Sequence, residues 1–229
     1  MLIDELHKRK RDIDSFYSLL RLIDQCDSHT APLLALDEHN RIVVDDVMQK
    51  CMKANAIILL YNSIESTFSE CILSVYDAIH DGGLQYGDLS DKMKKVWVDG
   101  HFKQEVMQVA GARKTAKSIS DCVLNNTIVE LKEYPSSISG NLDVRKILAI
   151  SKALGVSFGK IPNVNDTKTA LFEIKESRNA LAHGRKSFGD VGALLVMSDL
   201  EKYRNLVICF LDHMVVVFEG FIQTKGYHA

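Results

Sequence analysis

Helical periodicity constrains this chain more than any other feature. Between residues 45 and 80, Ile57, Leu60, Ile64, Phe68, Cys71, Val75 and Ile79 recur three or four apart. At about 3.6 residues per turn, that spacing lines one face of a single long helix. "DGG" at 81–83 ends it, since glycines accommodate the turn that follows a helix. Residues 2–26 repeat the pattern with Ile13, Phe16, Leu20 and Ile23, and the C-terminal stretch does so with Leu200, Tyr203, Val207, Phe210, Met214, Val217 and Phe221. Only three prolines punctuate the 229 residues. "RIVVDD" at 41–46 reads as a short extended piece, and no alternating run is long enough for a sheet. The expected fold class is all-α: one domain over 1–229, with four long helices in a bundle and a smaller helical insertion over 84–155.

Inside that insertion, "DLSDKMKKVW" reads as a short helix opened by Asp88 or Ser90, and "YPSSISGN" at 134–141 is a loop by composition. Asn141 is the expected cap of a helix over 142–154, closed by Gly155. "PNVND" makes another turn, with Asn165 or Asp166 capping the helix after it.

The bulk properties exclude several classes of function. A hydrophobic share of 46% and a charged share of 25% are ordinary globular values. A net charge of −2 is not that of a protein coating a duplex in phosphate contacts, so nucleic-acid binding must use a local basic patch. The five cysteines are scattered, with no CxxC pair, which fits a reducing cytoplasm better than a disulfide scaffold or a zinc knuckle. "MLIDELHKRKRD" has no apolar run and is not read as a secretion signal. "LVICFLDHMVVVFEGFI" is broken by Asp212, His213 and Glu219, short of the ~20 clean residues of a membrane span. The expectation is a cytoplasmic protein that does not engage the membrane.

One stretch does not behave like core. In "LFEIKESRNALAHGRKSFGDVG" (171–192), Arg178 interrupts an apolar stripe formed by Leu171, Ile174 and Leu181. A guanidinium inside that arc must be paired, hydrogen-bonded or open to a cleft, because an unpaired buried charge costs several kcal/mol or more. Glu65 in "LLYNSIES" is the most attractive partner for a purely structural pair. Five residues on, His183 stands where the helix stops, followed by Gly184; in an unbroken helix it would point roughly 140° from Arg178. Asn179 shares its face. The carbonyl end of a helix favours a cation, which suits a group that exchanges protons near neutral pH. Lys175, Arg185 and Lys186 add positive charge nearby.

These residues resemble the R-x4–6-H signature of the HEPN superfamily, all-helical proteins many of which are metal-independent ribonucleases. "ANAIILLYNSIEST" (54–67), "SGNLD" (139–143), "IKESRNALAHGRKSFGDVG" and the closing amphipathic helix are together similar to the MAE-type branch of bacterial HEPN proteins, in the same order. The resemblance implies that Arg178 and His183 form a catalytic pair, with Asn179 as a polar neighbour, in a cleft where two protomers meet. It implies an endoribonuclease that cuts single-stranded or loop RNA by 2′-hydroxyl attack with no cofactor, in a toxin–antitoxin or antiviral defence setting. RNA, a second copy of the chain, and an antitoxin or defence-system protein are the partners it suggests. Lys175, Arg185 and Lys186 are candidate RNA contacts; Glu65 and Asn62 are candidate supports for Arg178. The alternative is a HEPN module that binds RNA or a nucleotide, or dimerises, without cutting. HEPN toxins silenced by a nucleotidyltransferase often carry a tyrosine two residues after the histidine. Arg185 stands there, so control by that modification is not expected.

Other signals carry less. "GARKTAKS" (111–118) approaches a phosphate-binding loop, but Ala116 replaces the second glycine and no strand precedes it. "HKRKR" (7–11) reads as a solvated helix face. The remaining histidines lack metal-ligand spacing, so no metal site is expected; His213 lies within an apolar helix as a satisfied core or interface residue. Arg145 and Lys146 read as surface.

Overall fold

A computed structural model of the chain describes residues 2–24, 33–35, 41–105, 109–131 and 140–229. Its elements are α1 (Leu2–Asp24), β1 (Leu33–Ala35), β2 (Arg41–Val43), α2 (Asp46–Asp81), a 3-10 turn (Tyr86–Asp88), α3 (Asp91–Glu105), α4 (Val109–Leu124), α5 (Val144–Leu154), α6 (Val164–Ala182), α7 (Phe188–Ala193) and α8 (Met197–Gln223). Residues 25 and 26, expected in the first helix, and most of the expected loop, 134–139, lie outside the described residues.

The fold is all-α, with α1, α2, α6 and α8 as the four long helices. α2 packs against α1, α6, α7 and α8, and α8 also packs against α1 and α6. The core lies along α2, where Ile57, Leu60, Tyr61, Ile64, Phe68, Ile72 and Ile79 are buried. Phe68 meets Phe218 of α8 edge-on, ring centroids 6.1 Å apart, and Phe158 packs edge-on against the same Phe218 ring at 6.2 Å. By length and composition α2 and α8 could cross a membrane, yet in this fold their apolar faces meet each other and α1.

The structure departs from the sequence expectations in several places. β1 and β2 pair antiparallel, Leu33 opposite Val43 and Ala35 opposite Arg41, so the first half of the piece expected to be extended over 41–46 finds a partner, while Asp46 already opens α2. On α1 the fully buried aromatic is Tyr17, while Phe16 is only half-buried. On α8, Leu211, Val215 and Phe218 are buried, whereas Tyr203, Val217 and Phe221 sit at the core's margin. A helix that packs on three neighbours buries a wider arc than one stripe, and the stripe seen in sequence marks only one side of it.

Capping shows the same kind of shift. α2 starts one residue after Asp45, whose side chain accepts from Met48 N–H at 2.8 Å, and it ends at the expected glycines. α5 begins at Val144 with Asp143, not Asn141, as its cap: the carboxylate accepts from Lys146 N–H at 3.0 Å. Gly155 closes α5 in the left-handed region (φ +96°), as expected. α6 starts earlier than expected, after Asn163 rather than Asn165 or Asp166.

Between α2 and α5, α3 packs on α4 and on α5, and α5 packs on α6. The C-terminus reaches back to this region, where Ser90 N–H donates to Tyr227 O and Ala229 N–H to Asp88 O. "GARKTAKS" lies within α4, so it is helical rather than the strand-to-helix loop that a phosphate-binding motif needs. In "HKRKR", Lys8 pairs with Glu5, Arg9 with Glu70 and Lys10 with Asp212. Two of those partners lie on α2 and α8, so the run helps dock α1 rather than forming a free basic face.

Candidate functional site

α6 carries the candidate residues. Thr167, Ala170, Leu171 and Ile174 bury one face against the bundle, and Arg178 continues that face at the point where burial becomes partial. Its guanidinium lies over the Tyr61 ring, 4.9 Å from the centroid, an attraction of about 0.5–2 kcal/mol depending on desolvation. One amino group reaches Asn179 Oδ1 at 3.3 Å.

The other wall is Gly140, just before α5. Its φ of +76° is left-handed, and a Cβ built there would stand 2.9 Å from Arg178 Nη1. The guanidinium therefore rests on a bare α-carbon, and two polar groups of α2 fix that turn in place. Gly140 N–H donates to Glu65 Oε1 at 2.9 Å, and Leu142 N–H donates to the Tyr61 hydroxyl at 3.1 Å. Burial raises the Tyr61 phenol above its ordinary value, the Leu142 amide opposes that, and the Glu65 carboxylate adds to it. Tyr61 is thus a neutral acceptor for the amide and an apolar plate for the arginine.

The alternative of a purely structural Arg178–Glu65 ion pair does not hold: among the described residues no carboxylate lies within 4.0 Å of Arg178. Glu65 supports Arg178 only indirectly, through the turn. Asn62, the other candidate support, is exposed.

His183 caps α6, donating its N–H to Asn179 O at 3.1 Å. Gly184 follows at φ +65°, its N–H reaching Leu181 O while Arg185 N–H reaches Ala180 O. That is the paired-amide stop in which a left-handed residue satisfies two orphan carbonyls. The His183 imidazole is exposed. Among the described residues it makes no hydrogen bond to Arg178, and its place on α6 points it away from the face Arg178 occupies.

The three candidate RNA contacts separate. Arg185 and Lys186 are exposed, with no carboxylate within 4.0 Å among the described residues. Lys175 is buried, its Nζ 3.3 Å from Asp143 Oδ2 and 3.4 Å from Glu176 Oε1, and 4.8 Å from the Phe172 ring centroid. As a contact to RNA it is therefore corrected: it holds the start of α5 against α6. Burial pushes the Asp143 carboxyl up, but the Lys146 amide and Lys175 outweigh it and hold it below the ordinary aspartate value. Arg145 is exposed. His213 Nε2 lies 2.7 Å from Phe158 O, a satisfied position inside the bundle. Among the described residues no three His, Cys, Asp or Glu side chains cluster as a metal ion would require.

Sequence reasoning missed Tyr61, Gly140 and Asp143. Tyr61 stands one turn before Glu65 on the buried face of α2, where an aromatic reads as core. Asp143 directly before "VRKIL" is an N-cap pattern that was readable. Gly140 carries no signal in one sequence that distinguishes it from any loop glycine.

The fold is an all-helical bundle, with Arg178 half-buried and His183 exposed near the C-terminal end of α6. The chain belongs to the HEPN_MAE_28990-like HEPN family, whose model matches residues 1–227. Membership suggests a nuclease or an RNA-binding module. No curated protein and no solved structure matches the chain.

Proposed function

We propose that the chain is a metal-independent endoribonuclease that cuts single-stranded or loop RNA, with Arg178, Asn179 and His183 as its catalytic group. The observation that carries this reading is the placement of Arg178. It is half-buried in an otherwise apolar face, fixed by Tyr61 and Gly140 and without a carboxylate partner among the described residues. A core would have no use for such a charge, whereas a scissile phosphate would.

His183 and Arg178 leave α6 on different sides, so the proposal includes a second copy of the chain. Its α6 would bring one histidine to the other protomer's arginine. His183 takes the proton from the ribose 2′-hydroxyl, and the 2′-oxygen attacks phosphorus. The bond from phosphorus to the 5′-oxygen breaks, and an acid, the partner's histidine, protonates the leaving oxygen. Arg178 stabilises the extra charge on the phosphoryl oxygens. The products are a 2′,3′-cyclic phosphate and a 5′-hydroxyl, and DNA is inert because it lacks the attacking hydroxyl. Unstacked RNA is the target because its phosphate can reach in-line geometry. We place the activity in a toxin or phage-defence system with a controlling partner protein, on the strength of the family resemblance.

The test is incubation of the pure protein with total RNA in EDTA, comparing parent, His183→Ala and Arg178→Ala. Fragments ending in cyclic phosphate from the parent, reduced at least 100-fold in both variants, are expected. Equal cleavage by a folded His183→Ala protein overturns the mechanism. A second reading, a module that binds RNA without cutting it, is favoured by the partial engagement of the Arg178 donors by Asn179. Binding by parent and His183→Ala alike, with no cleavage by either, selects it.

A further inference from the structure

A crevice of about 320 Å³ lies between α6 and α7, lined by Glu176, Ser177, Ala180, Arg185, Lys186, Val191, Leu194 and Leu195. Its place relative to His183 matters most. Ala180 precedes His183 by three residues and Glu176 by seven, so on α6 all three share one face. Arg185 is two residues beyond His183, which bounds the separation of their α-carbons at about 7 Å. The crevice therefore lies on the His183 side of α6, away from Arg178, although the imidazole itself is not part of its lining.

Its chemistry is divided. Val191, Leu194 and Leu195 give an apolar floor, and Leu194 is 69% exposed, unusually open for a leucine. Arg185 and Lys186 place two cations at the edge, neither with a carboxylate within 4.0 Å among the described residues. Glu176 adds a carboxylate at the wall, one oxygen of which also lies 3.4 Å from Lys175 Nζ and keeps a free lone pair, and Ser177 adds a hydroxyl. An apolar surface, two exposed cations and a hydrogen-bond acceptor are three features that complement an unstacked nucleotide.

We infer that this crevice binds one nucleotide of single-stranded RNA next to the linkage at His183, and that Glu176 makes it prefer guanine. The base lies on Leu194 and Leu195, and the adjoining phosphates sit at Arg185 and Lys186. Guanine alone offers two neighbouring donors on its Watson–Crick edge, N1–H and the 2-amino group, which match the two oxygens of a carboxylate. Adenine, cytosine and uracil each place a lone pair beside their donor there, and Glu176 repels it. The inference rests on the proposed RNA-cutting function for its choice of ligand.

The experiment measures binding of single-stranded RNA pentamers with 2′-O-methyl riboses, which have no free 2′-hydroxyl and cannot be cut. One central base is varied among the four in an otherwise uridine strand, and anisotropy reads the affinity. The parent is expected to hold the guanine pentamer about 10-fold tighter than the other three, as one good bidentate contact gives. Glu176→Gln should remove that preference while retaining binding. Arg185→Ala and Lys186→Ala should weaken all four pentamers alike and flatten the salt dependence. Ala180→Leu, which fills the crevice, should abolish the preference; if it does not fold, Glu176→Gln decides alone. Equal affinity for all four bases, or a guanine preference untouched by Glu176→Gln, overturns the inference while leaving RNA cleavage standing. No binding of any pentamer, with no cleavage of total RNA in EDTA, brings down both.

Discussion

Arg178 shows how little of a site one residue can supply. In the proposed ribonuclease its charge is useful only because Gly140 leaves room for it and Tyr61 gives it a face to lie on. Gly140→Ala should cost about 1–2 kcal/mol for placing a Cβ in the left-handed region. It should also move the guanidinium, so that RNA cleavage falls further than the loss of folded protein explains. Denaturant titration beside the cleavage rate checks both. Tyr61→Phe separates two roles. It keeps the ring under the arginine but strands the Leu142 amide, a loss of about 1–3 kcal/mol measurable by urea unfolding, with a smaller effect on cleavage than Tyr61→Leu. Arg178 and His183 stand out in the sequence because each breaks a pattern, a charge in an apolar stripe and a stop after a helix. Tyr61 and Gly140 break none. A buried tyrosine looks like core, and a loop glycine declares its close approach only once its neighbour is known.

At the scale of elements, the joints between helices are more exacting than the helices. Gly192 of α7 is a very tight one: a Cβ there would stand 1.9 Å from the Lys50 carbonyl oxygen of α2. That neighbour is backbone and cannot swing aside. Gly192→Ala should lose stability at the upper end of the roughly 1–3 kcal/mol of overpacking, and thermal unfolding reads it. The joint of α5 to α6 is electrostatic. Because Lys175 and the Lys146 amide hold the Asp143 carboxyl below its ordinary value, its contribution is fully present above the unfolded aspartate value of about 3.9 and is lost as pH falls through the lower folded value. Unfolding measured from pH 6 to pH 2 should show a shallower acid decline in Asp143→Asn than in the parent. The spans of α1, α2, α5, α6 and α8 were legible to within a few residues because periodicity and turn signals mark them, whereas α3 runs on from the expected stretch to Glu105 and the short α7 carries no stripe to mark it. Caps were less so: Asp143 before "VRKIL" was a readable pattern passed over for Asn141, whereas Asn163 and Asn165 are equally suited in sequence and the turn geometry selects between them.

For the molecule as a whole, the all-α class was readable from the stripes on α1, α2 and α8, which have no competing strand pattern. The arcs actually buried were less so. Which side of α8 faces inward depends on where α2 and Phe158 lie, and a stripe cannot report its neighbours. Phe218 shows this, since it meets both Phe68 and Phe158 although Phe221 fits the sequence stripe better. Phe218→Ala should cost about 3–5 kcal/mol, and Phe221→Ala, at the core's margin, distinctly less. Paired calorimetric scans of the two variants check the order.

The 36 residues of α2 form one unbroken rod. Along it sit the seat of α7 at Lys50, the plate and tether of the arginine cradle at Tyr61 and Glu65, and the aromatic centre at Phe68. Such a rod behaves as a ruler with angular as well as linear graduations. A single codon inserted between Lys50 and Tyr61 would turn one half against the other by about 100° and slide it about 1.5 Å. No neighbouring loop could absorb that dephasing, so the chain can lengthen between its helices but not within this one.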